Sequence, residues 1–274
     1  MATSPTKRQP ASQLVLPVHL LVYGLPGSGK STFAASAIDL GLSTCVLLGD
    51  ALIKATPYRE RVRDEELTTL DDGTLCLTGV GPTGKQVRIL GFYEEDYSRP
   101  TAYARFQAQL PALRREVLNG AWDVVVVDTL SSFELLARYW HQFDLSKNVK
   151  EPRLWYAGAT DLLERLALGI LNAFPCHVLL LTHVDEDKDE VHGSFVRHPR
   201  APGRLRTRLA EQWEIVRAYV KDTIEGKAVP PNFYLQTRKR EGYYAAVQNR
   251  GGQALADPSP QDLAVFLTAK KSES

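Results

Sequence analysis

Gly24, Leu25, Pro26, Gly27, Ser28, Gly29, Lys30, Ser31 and Thr32 follow directly on the apolar run Val18–Tyr23. They fit the spacing G-x-x-x-x-G-K-[ST] through Gly24, Gly29, Lys30 and Ser31. The chemistry of such a set is anion binding. Glycines let main-chain N–H groups converge on a phosphate with no Cβ in the way, and a helix opening at Lys30 adds its N-terminal dipole. Lys30 has the reach for the β- and γ-phosphates, and the Ser31 hydroxyl suits one position on Mg²⁺. All nine residues are therefore candidate nucleotide contacts.

A metal beside a triphosphate needs a carboxylate as well. Asp128 closes the run "WDVVVVD" and is the candidate to hold Mg²⁺ opposite Ser31. Asp50 closes "TCVLLGD" and is the first candidate to orient or deprotonate an attacking water, with a helix cap as the plain alternative. Thr182 and His183 close "CHVLLLTHV", where a polar group can bond the γ-phosphate and report its loss.

The elements that must position these groups are legible in outline. Val18–Tyr23, "TCVLLGD", "WDVVVVD" and "CHVLLLTHV" read as strands buried on both faces, as in parallel sheets. Helical periodicity covers residues 30–39, 101–118, 131–142 and 153–174. Residues 55–100 read as a β-rich insertion, with "TLCLTGV" and "QVRILGF" pairing as a hairpin beside the core sheet. Residues 184–203 read as a mobile polar loop, followed by a basic helix, three β-type runs and a closing helix with Ser259 near its N-cap. Residues 1–13 read as a disordered tail and 14–274 as one α/β domain, a mostly parallel sheet flanked by helices with antiparallel additions.

Composition narrows the class. The chain of 274 residues is 44% hydrophobic and 24% charged, with a formal net charge of +1, so overall charge does not announce a nucleic-acid binder. Cys45, Cys76 and Cys176 lie far apart without metal spacing and read as reduced thiols of a cytoplasmic protein. No apolar stretch reaches the roughly 20 residues of a membrane span.

Taken in order, "GLPGSGKST", "VVVVDTLSSF" and "LLLTHV" resemble the RecA-like branch of phosphate-loop ATPases. Within it they are similar to compact single-domain AAA/RecA-type proteins of bacteriophages, associated with recombination or annealing. The resemblance implies ATP and Mg²⁺ as ligands and a homo-oligomer with nucleotide at subunit interfaces. It implies the phosphate and metal roles for Lys30, Ser31 and Asp128, and the sensor role for Thr182–His183. It also implies single-stranded DNA as a partner of the 184–203 segment. Asp50 departs from the pattern, because the recombinases usually carry a glutamate near that position as the water-activating base, and the aspartate is one methylene shorter.

Local charge supplies DNA candidates. Arg197, Arg200, Arg204, Arg206 and Arg208 cluster, and Phe195 is placed to stack on a base. Asp185, Glu186, Asp187, Asp189 and Glu190 would repel DNA, so contact should favour the 195–208 half. Arg238, Lys239, Arg240 and Arg250 are candidates for touching a neighbouring subunit's nucleotide, and one arginine of the first cluster is an alternative finger. Two other readings stand beside a DNA-dependent ATPase: a small-molecule or nucleotide kinase, and a nucleotide-gated assembly factor.

Overall fold

The computed structural model describes residues 17–145, 151–188, 195–224, 227–240, 242–247 and 259–267. The N-terminal tail, the centre of the 184–203 segment and Arg250 lie outside the described residues.

The chain opens with β1 (His19–Tyr23), the phosphate loop and α1 (Lys30–Asp39). β2 (Thr44–Leu48) follows, then a short turn and the one-turn helix α2 (Thr56–Arg59). β3 (Arg63–Thr69), β4 (Leu75–Val80) and β5 (Gln86–Gly91) form an antiparallel meander. α3 (Ala102–Leu118) leads to β6 (Val124–Asp128), α4 (Leu130–Trp140), α5 (Pro152–Glu164) and β7 (His177–Thr182). After these come β8 (Val184–Lys188), β9 (Phe195–Pro199), α6 (Gly203–Gln212) and β10 (Glu214–Ile224). β11 (Lys227–Gln236), β12 (Arg238–Arg240), β13 (Tyr243–Ala246), β14 (Ser259–Pro260) and α7 (Leu263–Leu267) complete the described chain.

The centre of the sheet is parallel, in the order β5-β2-β6-β7-β1-β10. Its apolar runs are continuous because both faces are covered. On one face α3, α4, α5 and α6 pack around Leu21, Leu47, Val125, Val127 and Leu180. On the other, α1, α2 and α7 pack around Val22, Val46, Val126 and Leu181. Val124–Val127 are wholly buried, each side chain contributing about 1.5–3 kcal/mol of transfer free energy. This is the mostly parallel, helix-flanked sheet with antiparallel additions that the sequence leads one to expect. The cysteines are free and buried, and among the described residues no helix is long and apolar enough to cross a membrane.

Three local readings change. β4 and β5 do pair as a hairpin, but β5 also joins β2 in parallel, so it belongs to the core sheet rather than lying beside it. The ends of the 184–203 segment are not open loop: Asp185 pairs with His198 and Glu186 with Arg197, zipping acidic β8 to basic β9. Ser259 lies in β14 opposite Leu235, ahead of the closing helix, and the Asp262 carboxylate accepts the Ala264 N–H at 2.9 Å.

Candidate functional site

The loop is shaped by close approach and by backbone sign. A Cβ on Gly24 would fall 2.3 Å from the Ala218 carbonyl oxygen on β10 and 2.6 Å from Ser28 Oγ, so only glycine fits. Gly29, the residue preceding α1, has φ +83°, and a Cβ there would meet the Phe233 ring at 2.8 Å. Lys30 is buried at the first position of the helix. Its ammonium donates to the carbonyls of Gly24 at 2.8 Å and Leu25 at 2.9 Å. Burial pulls its pKa down to about 8, opposed by the pull of Asp128. The Ser28 hydroxyl is buried with no hydrogen-bond partner among the described residues. Leu25, Pro26 and Gly27 form the exposed outer turn, and Thr32 is exposed on α1.

Asp128 ends β6, one strand removed from β1, with β7 between them. Its carboxylate is 4% exposed. Burial raises its pKa above the ordinary aspartate value; contacts with the Ser31 and Tyr58 hydroxyls work against this, and Asp50 adds to it. The Tyr58 phenol donates to Oδ2 at 2.8 Å. The peptide bond between Asp128 and Thr129 is cis. The residues fit a magnesium ion. A buried carboxylate that resists ionisation gains from a cation, and Ser31 is against it. No group of three or more His, Cys, Asp or Glu suited to a metal occurs among the described residues, so phosphate oxygens would have to complete the shell. Lys30, Ser31 and Asp128 thus converge at one end of the parallel sheet.

Asp50 and His183 lie at the same edge. Asp50 Oδ2 accepts from Ser132 Oγ at 2.7 Å, and Ser132 Oγ also lies 2.9 Å from Thr129 Oγ1. The carboxylate is half-buried, within electrostatic reach of both Asp128 and His183. Thr182 is wholly buried. Its hydroxyl donates to the Arg200 carbonyl at 2.7 Å and meets Ser131 Oγ at 2.9 Å, which commits it to holding the strand end. His183 keeps Nδ1 without a partner among the described residues, and burial, with Lys30 nearby, lowers its pKa. Of the two sensor candidates, His183 has a ring nitrogen without a partner among the described residues and lies within electrostatic reach of Lys30 and Asp50. The nearby Glu94 is spent as a cap, accepting the N–H groups of Thr101 at 2.5 Å and Ala102 at 2.7 Å.

The basic cluster is arranged otherwise. Arg197 pairs with Glu186 at 2.5 Å and Arg200 with Glu134 at 3.5 Å. Arg204 bridges Asp161 at 2.9 Å and Glu164 at 3.0 Å, Arg206 meets Asp187 at 2.8 Å, and Arg208 meets Glu164 at 3.1 Å. The expected separation of a repelling acidic half from a free basic half is therefore not what forms, because strand pairing and helix packing bring the acids onto the arginines. Phe195 remains half exposed at the start of β9. Arg238 and Lys239 are exposed on β12, and Arg240 pairs by backbone with Tyr243.

Sequence reasoning missed Tyr58, Ser131, Ser132, Phe233 and Gln261. Gln261 donates to the Ser28 carbonyl at 2.9 Å from 233 positions away, a contact that no local pattern encodes. A cavity of about 150 Å³ flanks the loop, lined by Gly24, Pro26, Ser28, Arg217, Tyr219 and Tyr243. A larger one of about 520 Å³ runs along α3 through Leu110, Pro111 and Arg114 and includes none of the site residues.

Comparison with known proteins agrees with the loop chemistry. Residues 20–150, just under half of the chain, match the model of a family described as an AAA domain (AAA_33). Both the phosphate loop and Asp128 fall inside that match. No curated protein matches the chain. Among solved structures, a prototypical ATPase from the type III secretion system of pathogenic bacteria aligns at 11% identity and TM-score 0.41, over 74% of this chain. The chain spans about half, 52%, of that ATPase's length. The RadB recombinase aligns at 14% identity and TM-score 0.36, over 80% of this chain and 87% of its own. Residues 20–150 are thus similar to an AAA domain, and the mostly parallel sheet carries the loop at the end of β1, where a phosphate-loop fold binds nucleotide.

Proposed function

We propose that this protein binds ATP with Mg²⁺ and hydrolyses it, and that it does so as an oligomer acting with single-stranded DNA. The observation that carries the hydrolytic core is the convergence of Lys30 and Asp128. Both are buried, burial displaces both from their ordinary ionisation, and each acts on the other electrostatically. A polyphosphate–metal complex supplies what this pair lacks, an anion for the lysine and a cation for the carboxylate.

The loop N–H groups and the start of α1 bind the β-phosphate, and Lys30 exchanges its bonds to the Gly24 and Leu25 carbonyls for phosphate oxygens. Ser31 and Asp128 are the residues that would hold Mg²⁺, which would supply charge neutralisation at the phosphates. Asp50 has one oxygen held by Ser132 and offers the other to a water in line with the γ-phosphate. His183, favoured as the neutral imidazole, reads the presence of the γ-phosphate and passes it to β8 directly after it. The DNA half rests on Phe195, half exposed at the start of β9, and on the exposed Arg238 and Lys239.

The test is phosphate release measured with and without Mg²⁺ and single-stranded DNA, beside a sizing measurement with a non-hydrolysable ATP analogue. Mg²⁺-dependent release that quickens with DNA is the expected result. Release indifferent to DNA at low salt removes the DNA half. A phosphorylated acceptor formed in stoichiometry with ADP replaces the hydrolase by a kinase.

A further inference from the structure

We propose that Tyr58 is a positioning residue for the metal-binding carboxylate, holding Asp128 in the orientation that takes Mg²⁺ with nucleotide. The inference rests on the phosphate-site reading above and adds to it a residue from a segment that carries no recognisable motif.

Tyr58 is wholly buried, and its phenol donates to Asp128 Oδ2 at 2.8 Å across 70 positions of sequence. A buried phenol needs a partner, and here the partner is the most deeply placed carboxylate of the site. The bond engages one carboxylate oxygen and leaves the other open, and the Ser31 hydroxyl is in contact with both Asp128 and the Tyr58 phenol. It also resists rotation about the Asp128 side chain, which β6 alone does not fix.

The tyrosine is itself held in place. The ring packs in the same core cluster as Phe33 and Ala34 of α1 and Leu48 of β2. Its helix α2 is pinned at the other end, where Arg61 bonds Asp39 of α1 at 2.7 Å and the Pro57 carbonyl at 2.6 Å. Thr56 Oγ1 bonds the Ile53 carbonyl at 2.8 Å and closes the preceding turn. The whole support runs from α1, the helix that carries Lys30 and Ser31, through α2 to Asp128. Phosphate loop and metal carboxylate are therefore tied by a side-chain route as well as by the sheet. Groups that orient a metal ligand from behind commonly change metal affinity 10–100-fold when removed.

The experiment measures binding of a fluorescent ADP analogue over a Mg²⁺ titration, for the wild-type chain and for Tyr58→Phe, with circular dichroism verifying the fold. The expected result is a Mg²⁺ midpoint raised about tenfold, with metal-free nucleotide affinity unchanged. A merely structural tyrosine would lower thermal stability without moving that midpoint, and an unmoved midpoint in folded Tyr58→Phe overturns the proposal. Should that variant not fold, 3-fluorotyrosine installed at position 58 of the otherwise wild-type chain gives a single fluorine resonance. It should shift on adding Mg²⁺ with ADP, at the midpoint of binding, and a resonance indifferent to Mg²⁺ overturns the proposal equally. If the wild-type chain itself shows no Mg²⁺-dependent nucleotide binding, the phosphate-site reading fails and takes this inference with it.

Discussion

At the carboxyl edge of the parallel sheet, Lys30 and Asp128 are buried, and neither is comfortable in its charged form. On α6, Arg204 and Arg208 reach into solvent and share Glu164, with Asp161 as a further partner. The first region holds charges whose natural complement is missing from the fold. The second supplies its own complement. A count of basic residues ranks α6 above the loop, but compensation ranks them the other way. A charge held under desolvation, with its opposite kept at the next strand but one, is poised for a ligand. An exposed arginine laid on a carboxylate of its own chain has little left to offer.

The largest expected effect comes from emptying the first region. Lys30→Met should lower ATP affinity by at least about 100-fold, since more than one charge-assisted bond of roughly 1.5–3 kcal/mol is lost. Isothermal titration beside a thermal melt checks that binding goes while the fold stays. Asp128→Asn should cost about 100-fold or more in Mg²⁺-dependent turnover while ATP binding persists in part.

The same substitution tests desolvation through stability. Asp128 has its folded pKa raised above the unfolded value, so the native state holds the proton more firmly. The stabilising contribution is present below the unfolded aspartate value and is lost as pH rises through the folded value. Nucleotide-free Asp128→Asn should therefore melt above the wild-type chain at pH 7, and the gap should close in acid. A gap that persists in acid would assign it to packing.

Lys30 gives the next effect. With its pKa near 8, the free protein carries the charge at pH 7 and loses it as the solution becomes more basic. ATP affinity should fall by up to about tenfold per pH unit above that point. Lys30→Arg, always protonated, should abolish the dependence whatever its absolute affinity. A fluorescent-nucleotide titration from pH 7 to about 9.5 decides it.

The contrast also explains which parts of this molecule can be read from its sequence. "VVVVD" announces a strand covered on both faces because its four valines are apolar without alternation, and the loop announces itself because the positive φ of Gly29 and the approach of Gly24 to Ser28 are set within the loop, even though Ala218 and Phe233 tighten them from afar. Both constraints are local. Tyr58 lies in a polar, aperiodic stretch, and nothing near it in the chain indicates a partner at Asp128. β3 is exposed along its whole length, so no hydrophobic alternation marks it. The arginines mislead for the same reason. Glu164 lies 40 positions from Arg204, and only the packing of α5 beside α6 brings them together.

The smallest effects are expected on α6, and they have an unusual sign. Glu164 is mostly buried between two arginines, and Glu164→Gln keeps its shape and one of its two acceptor oxygens while removing the charge. The cost in stability should be about 1 kcal/mol, since the arginine partners lie largely in solvent although the carboxylate does not. Single-stranded DNA affinity, however, should rise, and its salt dependence should steepen by roughly 0.7 in log–log slope for each additional phosphate neutralised. Arg204→Ala combined with Arg208→Ala should leave DNA affinity close to wild type, since those cations are already neutralised. Filter binding at several salt concentrations separates the cases. If the double arginine variant binds DNA much more weakly while Glu164→Gln leaves affinity as it was, then DNA phosphates displace the carboxylates on binding. The α6 arginines would then belong with Lys30, as charges held ready for a ligand.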